Sequence, residues 1–344
     1  MNNAAESEPV PSPVQSEPAS PPPPLAAPPV LPVVTEPTAK YKTKPADPLA
    51  VVTLYLLAVF LGAALIAPRF HATAQFLAEG NHRWDRLAEQ PFHRYVGRSL
   101  LLLAVVGLPI FFKALRFRSA QELGLRFRSR DWVEAAQGIG WGFAAISVAT
   151  ALAISFRARV PDPERTFEQV LRHIRNTIPV ALLVSCLEEL LFRGALFGAL
   201  RRRYSFWAAA ILSSAFFGIV HFLAQPKSTG IVEWNSGLIT LGQMLSGFTE
   251  WKSLFPGFLN LTLTGILLAL GYERTKTLLF PIALHAALIF GVKTVGFATK
   301  TVDSTNSWVW GSSKLVDGWA TAFVLVTVLF ALKGTLPKPA LTDD

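Results

Sequence analysis

The chain has 344 residues, of which 51% are hydrophobic and only 16% are charged, against about 25% charged residues in ordinary soluble domains. This balance, with a mean hydropathy of +0.38, excludes an ordinary soluble globular protein and indicates an integral membrane protein. The single cysteine, Cys186, excludes a disulfide framework and a cysteine-based zinc module. The formal charge of +9 does not indicate a nucleic-acid partner, because the basic residues lie between apolar runs, where they meet membrane lipid headgroups.

Proline dominates the start of the chain. Residues 1–48 contain 14 of the 25 prolines, four of them consecutive from Pro21 to Pro24. Such a composition predicts a disordered, proline-rich N-terminal tail with local polyproline II structure. The tail has no basic start followed by an apolar stretch, so a cleavable signal peptide is not expected. A solvated tail and a partner-binding segment are both compatible with this pattern.

Eight apolar runs follow, and most have the length of about 17 to 25 residues that a spanning helix needs. They cover residues 49–68, 99–115, 134–156, 178–200, 206–224, 255–272, 278–297 and 318–332. The sequence therefore predicts an all-α, polytopic transmembrane bundle of about eight spanning helices. We divide it into N-terminal helices and loops (49–174), a core (175–298) and a C-terminal helix with its tail (299–344).

Two further features concern the loops. In the connector 225–254, Leu238, Leu241 and Leu245 recur at helical spacing, which indicates an interfacial or re-entrant helix, or a helical connector on the surface. Basic residues crowd segments 113–130 and 201–203. Because charges near helix ends set orientation, these clusters favour a cytoplasmic N-terminus, and in a bacterium a location in the inner membrane.

The fourth run carries three charged side chains that a membrane helix keeps only when something compensates them. Glu189 and Arg193 are four residues apart, share a helix face and are predicted to form an ion pair. Glu188 is rotated by about 100° from Glu189 and is expected to face another neighbour or a cavity. On its own, the pair is equally compatible with a purely structural role.

Two histidines, His221 and His285, also lie within apolar runs, whereas His71, His82, His93 and His173 lie in segments that we expect to be solvated loops. A lone intramembrane histidine is often only a hydrogen-bonding group between helices. Together with Glu188, however, the two histidines supply the parts for polarising a water. Glu188, His221 and His285 match the ligand count of a catalytic zinc site with an open fourth position. Without a metal, Glu188 would be a general base and the histidines would stabilise an oxyanion.

These residues carry a resemblance to a known family. The sequence EELLFR from Glu188 to Arg193 resembles the EExxxR motif of the CAAX protease and bacteriocin-processing (CPBP) family of intramembrane endopeptidases. Residues 217–221 resemble the second motif of that family, FxxxH, and His285 resembles the first position of its third motif, HxxxN or HxxxD. The resemblance covers about residues 175–295, which makes the predicted core a CPBP-like catalytic core.

The resemblance implies hydrolysis of a peptide bond in a membrane-associated peptide or protein, with the processing of prenylated proteins as one family activity. By motif position, Glu188 and His221 would activate the attacking water, and Glu189 and Arg193 would shape and charge-balance the site. His285 would bind a metal or stabilise the oxyanion, and Phe217 would pack beside it. The family has been described both as zinc-dependent and as a metal-free glutamic protease, so both cofactor assignments stay open here.

One departure from the family motif stands four residues after His285, where Ile289 replaces the usual Asn or Asp. Isoleucine can neither bind a metal nor donate a hydrogen bond. Asn260 could supply a substitute amide from another helix, or it could simply bridge helices. The departure leaves a proteolytically inactive membrane scaffold or chaperone as the alternative function. A transporter with a proton relay through Glu188 and Glu189 is a third hypothesis.

Overall fold

The computed structural model describes residues 46–126, 128–222, 231–249, 251–302, 306–312 and 315–337. The predicted proline-rich tail therefore lies outside the described residues, apart from its last three. We number the helices of nine residues or more, which are α1 Pro48–Gly80, α2 Phe92–Ala114, α3 Ser129–Ser155, α4 Phe167–Glu189, α5 Phe206–Val220, α6 Ser236–Met244, α7 Trp251–Thr275, α8 Leu279–Ala298 and α9 Trp319–Thr335. Helix α4 continues without a break as a π-helix, Leu190–Phe197, and a last helical turn, Gly198–Arg201.

Short elements join these helices. They are the turns His82–Trp84, Asp85–Ala88, Gln121–Leu123, Leu245–Phe248 and Ser307–Trp310 and the strands β1 Arg159–Pro161 and β2 Thr299–Thr301. The strands pair antiparallel with Val160 opposite Lys300. This short ribbon of two strands is a small addition to the all-α fold that the apolar runs predict.

The predicted bundle is confirmed. Within the described residues, five helices are long and apolar enough to cross a membrane, namely α1, α2, α3, α7 from Leu254 onward, and α8. Helices α5 and α9 are shorter but apolar, and the fourth run forms α4 with its continuation. Each of the eight apolar runs thus contains a helix over most of its described residues. Large apolar side chains such as Leu54, Ile110 and Phe323 are 69%, 74% and 71% exposed on the outside of the bundle, as expected for surfaces that face lipid. The protein is an integral membrane protein.

Helix α1 is longer than its apolar run because it continues through Pro68 to Gly80. A proline inside a helix leaves the carbonyl four residues earlier without its helical hydrogen bond. That carbonyl belongs to Ala64, and Gly237 of α6 packs directly against it, since a Cβ at Gly237 would lie 1.9 Å from the Ala64 oxygen. The connector therefore does contain a helix, as its spacing predicts, and this helix docks on α1. Residues 223–230 and 250 of the connector lie outside the described residues.

Helix α8 occupies the centre of the bundle and packs against α3, α4 and α7, while α5 and α9 pack on α7. Close approach of α3 to α8 depends on small residues. A Cβ at Gly142 would lie 2.7 Å from both the Ala287 Cβ and the Leu284 carbonyl oxygen, whereas a Cβ at Gly140 would meet no atom within 4 Å. Gly142 therefore faces α8 and Gly140 faces away from it.

Because neighbouring helices run antiparallel, the two basic segments, 113–130 and 201–203, lie at one end of the bundle. There Arg202 forms an ion pair with Glu122 at 2.9 Å, Arg201 forms one with Glu273 at 2.9 Å, and Arg126 donates a hydrogen bond to the Thr275 carbonyl. The two basic segments thus share a side, as the predicted topology requires, and the cytoplasmic assignment of that side stays a prediction.

The ribbon closes the opposite end. Arg159 is buried and donates hydrogen bonds to the Thr299 hydroxyl and the Ser312 carbonyl. Asp162 lies beside it and pairs with Lys300 at 3.1 Å. Burial acts to raise the pKa of the Asp162 carboxyl, but hydrogen bonds from Lys300 and from the Glu164 backbone, with the charge of Arg165, outweigh it and hold that pKa below its usual value.

The expectation of solvated loops was wrong for three of the four remaining histidines. His71, His93 and His173 lie in α1, α2 and α4, because each of these helices extends beyond its apolar run. His173 stacks on Phe297, with ring centroids 4.4 Å apart. His82 lies in a short turn and is exposed.

Candidate active site

The site begins where α4 changes its helical form. Glu188 and Glu189 are the last residues of α4, and the π-helix Leu190–Phe197 follows at once and contains Arg193. A π-helical segment widens the turn and is frequent at functional sites. This segment is buried, with Phe192 through Phe197 all shielded from the surroundings.

Glu189 is the centre of a buried charge cluster. Its Oε1 lies 2.9 Å from Arg193 Nη1 and 2.8 Å from His285 Nδ1. The Glu189 and Arg193 side chains are 0% and 1% exposed, so the predicted ion pair is confirmed and lies fully inside the protein. Arg193 Nη2 also approaches the Gly265 carbonyl at 3.5 Å. The other oxygen, Oε2 of Glu189, has no hydrogen-bond partner among the described residues.

Glu188 lies on a different face of the helix from Glu189, as its helix position predicts, and approaches the other ring nitrogen of His285. Its Oε2 lies 3.6 Å from His221 Nε2 and 3.8 Å from His285 Nε2, and it has no hydrogen-bond partner within the described part of the chain. The side chain is 26% exposed. One carboxylate oxygen thus faces two imidazole nitrogens at a distance slightly longer than a hydrogen bond.

The orientation of each histidine is set by its other ring nitrogen. His221 directly follows α5, and its Nδ1 lies 2.7 Å from the Phe217 carbonyl, which can only accept a hydrogen bond. Nδ1 therefore carries the proton, and in the neutral ring Nε2 presents a lone pair towards Glu188. His285, on α8, is 5% exposed and directs Nδ1 to the Glu189 carboxylate in the same way.

Phe217 packs against all three groups from one side. Its ring centroid lies 4.5 Å from the Arg193 guanidinium carbon, 4.4 Å from the His221 ring and 5.7 Å from the His285 ring. A cation above an aromatic face is favourable, more so when both are desolvated. Phe217 thus contacts both the buried Arg193 and the partly exposed His221.

The site opens into a cavity of about 380 Å³. The cavity is lined by side chains of α3, α5, α7, α8 and α9 and by the segment before α9, with His221, Asn260, His285, Ile289, Lys293 and Val316 among them. Most of the wall is aliphatic. Ile289, which replaces the Asn or Asp of the family motif, is part of this wall beside His285.

Asn260 does not act as a substitute for that missing amide donor. Its Nδ2 donates to the Val316 and Gly318 carbonyls, at 2.8 Å each, so its donors are already used. The bridging role is the one that the geometry supports, since Asn260 ties α7 to the segment before α9. Its Oδ1 is buried and lacks a hydrogen-bond partner among the described residues.

The predicted zinc site depends on the arrangement of Glu188, His221 and His285. Within the described ranges, no group of three or more His, Cys, Asp or Glu side chains is arranged to hold a metal ion. The proposed ligands Glu188, His221 and His285 meet only through the 3.6 and 3.8 Å contacts. Zinc binding by these three residues stays a prediction for experiment.

One connected cluster contains all five residues that the sequence predicts for the site, namely Glu188, Glu189, Arg193, His221 and His285. The prediction did not include two parts of the cavity lining, Lys293 and the aliphatic wall that α3 and α9 contribute. A signal for Lys293 was present, because positions 285, 289 and 293 follow at intervals of four residues and so share one face of α8. The contribution of α9 has no such signal in the sequence.

Residues 171–290 match the family model described as type II CAAX prenyl endopeptidase Rce1-like. Comparisons with curated proteins and with solved structures find no match. The matched segment contains all three motifs on which the family resemblance rests, and it falls within the cluster of helices that builds the site. Residues 171–290 of this membrane protein therefore form an Rce1-like domain, which matches the CPBP family.

Proposed function

We propose that the protein is an intramembrane endopeptidase that hydrolyses a peptide bond of a membrane-associated substrate with a water activated by Glu188. The observation that carries the proposal is the pair of histidine Nε2 atoms, at the wall of an apolar cavity, that lie 3.6 and 3.8 Å from one Glu188 oxygen. Among the described residues this oxygen has no hydrogen-bond partner. The family match at residues 171–290 supports a hydrolase of this class.

In the proposed reaction, the Glu188 carboxylate takes a proton from water, and the resulting hydroxide attacks the carbonyl carbon of the scissile bond. His221, held by the Phe217 carbonyl, orients this water through its Nε2. As the tetrahedral intermediate collapses, Glu188 returns the proton to the leaving nitrogen while the C–N bond breaks. The products are one new carboxyl terminus and one new amine, so the atoms balance.

Glu189 and His285 stabilise the negative oxygen of that intermediate. In this role His285 carries a proton on both ring nitrogens, with Nδ1 donating to the Glu189 carboxylate and the Nε2–H directed at the cavity. Arg193 balances the charge of Glu189 so that the cluster can remain inside the membrane. Fixed donors in a site shielded from water act strongly on a developing charge.

The test is cleavage of a membrane-anchored fluorogenic peptide library by the protein in liposomes. Glu188→Gln and His221→Ala should each lower the rate by at least about hundredfold, which is the usual contribution of a general base, and leave the melting temperature unchanged. Glu168→Gln is the matched control, because Glu168 lies at the exposed start of α4, paired with Arg172 far from the site. Full activity in both site variants would overturn the proposal.

Metal dependence is tested in the same preparation. The mechanism above predicts that chelation leaves the rate unchanged and that purified protein holds no stoichiometric metal. Zinc at one ion per chain, with activity lost on its removal and restored on its return, would establish the zinc alternative.

A proteolytically inactive scaffold is the second candidate, and Ile289 is the observation that favours it. Ile289 lines the cavity where the family motif has an amide or a carboxyl group. If the wild-type protein cleaves nothing in the library and Ile289→Asn becomes active, the inactive assignment is correct. If wild-type protein cleaves and Ile289→Asn changes the rate only slightly, the departure is compatible with catalysis.

A further inference from the structure

A groove lies on the outside of the bundle between α1 and α2, apart from the cavity of the proposed active site. It has a volume of about 470 Å³ and is lined by apolar side chains, with Leu54 and Ala58 from α1 and Val106 and Ile110 from α2 among them. These four residues are exposed. The groove is therefore open to the hydrocarbon of the membrane along its whole rim.

Two aromatic rings form the floor of the groove. The ring centroids of Tyr55 and Phe111 lie 4.5 Å apart, and the Tyr55 hydroxyl donates a hydrogen bond to the Ala104 carbonyl at 2.5 Å. A Cβ at Gly107 would lie 3.0 Å from the Tyr55 ring, so the backbone of α2 packs directly on this ring. Because the polar atom of Tyr55 is bound inside the protein, the floor presents a fixed, apolar surface, which suits an acyl chain.

The length of the groove matches one leaflet of a bilayer. Its lining extends from Val51 to Val59 along α1 and from Leu103 to Ala114 along α2. At 1.5 Å per residue these stretches are about 12 and 16 Å long. The hydrocarbon core of a bilayer is about 30 Å thick, so the acyl chains of one leaflet cover about 15 Å. An acyl chain in the groove would thus extend from the middle of the membrane to the surface.

A lysine stands where the groove meets the end of the bundle that carries the basic segments 113–130 and 201–203. Lys113 follows Val106 and Ile110 at helical spacing and so shares their face of α2. Its side chain is exposed, and among the described residues it takes part in no ion pair and no hydrogen bond. Lys113 is therefore available to a negative group at this end of the groove.

An aspartate stands beside the same end of the groove, at the start of α1. Asp47 is the N-cap of α1, four residues before Val51, and its Oδ1 accepts a hydrogen bond from the Leu49 backbone at 2.9 Å. It is exposed and forms no ion pair within the described part of the chain. The neighbouring cation, Arg203, donates to the Ala46 carbonyl at 2.9 Å. The second oxygen of Asp47 is thus available to a positive group.

We infer that this groove binds one phospholipid with a primary-amine headgroup, of the phosphatidylethanolamine type, from the leaflet at the basic end. One acyl chain lies on Tyr55 and Phe111, Lys113 contacts the phosphate, and the ammonium group contacts the Asp47 carboxylate. One cation and one anion together fit a zwitterionic headgroup better than an anionic one. A primary ammonium also has three N–H donors, whereas the quaternary ammonium of phosphatidylcholine has none. The site is independent of the proposed endopeptidase function.

The bland explanation is that ordinary boundary lipid fills the groove and that Lys113 simply extends to the membrane surface. In that case the groove would take lipids in proportion to their abundance, whatever their headgroup. The two explanations therefore differ in headgroup preference and in its dependence on Asp47 and Lys113.

The experiment uses the full chain in vesicles of equal parts phosphatidylethanolamine, phosphatidylglycerol and phosphatidylcholine with identical acyl chains. In three parallel samples, a small fraction of one of these lipids carries a photoreactive diazirine in its acyl chain. After irradiation, mass spectrometry measures the label on residues 51–59 and 103–114 relative to the label on α9, whose Phe323 is exposed to lipid. Partly exposed ion pairs shift an equilibrium by about twofold to fivefold. We expect phosphatidylethanolamine to label the groove more than either other lipid by this factor.

Four variants separate the contacts. Lys113→Gln should lower the groove label of all three lipids, because all carry the phosphate, and Lys333→Gln, at the end of α9 near Trp207, should change nothing. Asp47→Asn should remove only the preference for phosphatidylethanolamine, since asparagine caps a helix as well as aspartate does. Ala58→Trp should block labelling by filling the groove from an exposed position.

Leu57→Trp is the matched control for Ala58→Trp, because Leu57 is exposed on the same helix but does not line the groove, and it should leave the label unchanged. If the three lipids label the groove equally in the wild-type protein, or if Asp47→Asn keeps the preference, boundary lipid explains the groove and the inference is wrong. An unchanged label in Lys113→Gln refutes the phosphate contact, and an unchanged label in Ala58→Trp refutes the position of the acyl chain.

Discussion

The buried pair of Glu189 and Arg193 gives the sharpest prediction about stability. Glu189→Gln keeps the shape of the side chain but leaves the Arg193 charge inside the protein without its ionic partner, next to the Gly265 carbonyl at 3.5 Å and the Phe217 ring. Removing one partner of a buried ion pair costs about 3 to 5 kcal/mol. For a chain of 344 residues that corresponds to a fall in melting temperature of roughly 4 to 7 °C.

Arg193→Met should cost less than Glu189→Gln, because Glu189 then keeps His285 as a partner at 2.8 Å. The double variant, with both substitutions, removes both charges and should recover most of the loss, since a buried pair replaced by neutral groups of similar volume is often close to neutral in stability. The measurement is thermal unfolding of the purified protein in lipid nanodiscs, followed by tryptophan fluorescence.

The pair Arg201–Glu273 is the matched control. It has the same N–O distance of 2.9 Å, but the Arg201 side chain is 32% exposed and the Glu273 side chain 15%. Arg201→Met should therefore lower stability by no more than about 1 kcal/mol. The reasoning is refuted if Glu189→Gln unfolds within 2 °C of wild type, or if the double variant is less stable than both single variants.

Three further predictions follow from the packing of the bundle. Gly142→Ala should destabilise the protein by about 1 to 3 kcal/mol through overpacking against α8, while Gly140→Ala should be neutral or slightly stabilising; equal losses in thermal unfolding would contradict the packing. Asn260→Ala should lower the free energy of unfolding by about 1 to 3 kcal/mol, because the carbonyls of Val316 and Gly318 lose their hydrogen-bond donor. It should also increase proteolysis in the segment before α9, and unchanged proteolysis would argue against the bridge. The pKa of Asp162 is lower in the folded protein than its ordinary value, so its stabilising effect is present above the ordinary pKa and is lost as the pH falls through the folded-state pKa. Below about pH 4 the melting temperature of wild type should therefore fall more steeply with pH than that of Asp162→Asn. Parallel curves would contradict this.

The bundle could be predicted from the sequence because each spanning helix leaves a continuous apolar run. The ends of the helices could not, since α1 continues through Pro68 to Gly80, well beyond its apolar run. One contact beside that proline is distant in sequence, namely that of Gly237 with the Ala64 carbonyl. Tertiary contacts of this kind leave no local signal.

The candidate site was predictable for a related reason. Only a few charged residues, such as Glu188 and Arg193, lie within the apolar runs. Because a charge inside the membrane needs a compensating partner, these residues are expected to lie together. Asn260 was harder to interpret, because a buried amide suits either catalysis or bridging, and only its hydrogen bonds to residues 316 and 318 decide between them. Lys293 has the sequence position of an ordinary cation near a helix end, and only the packing of the helices places it at the cavity.

The π-helix Leu190–Phe197 has a consequence for how this segment tolerates changes of length. A π-helical bulge holds one more residue than the α-helix that it interrupts, so the deletion of one residue within it could be absorbed by a regular α-helix without breaking the chain. Because the bulge takes up its extra residue within a widened turn, Glu188 and Glu189 would keep their orientation relative to the last turn, Gly198–Arg201, which is fixed to α7 through Arg201 and Glu273. A single-codon deletion in this stretch would thus leave a complete spanning helix that has lost the widened turn next to its two carboxylates.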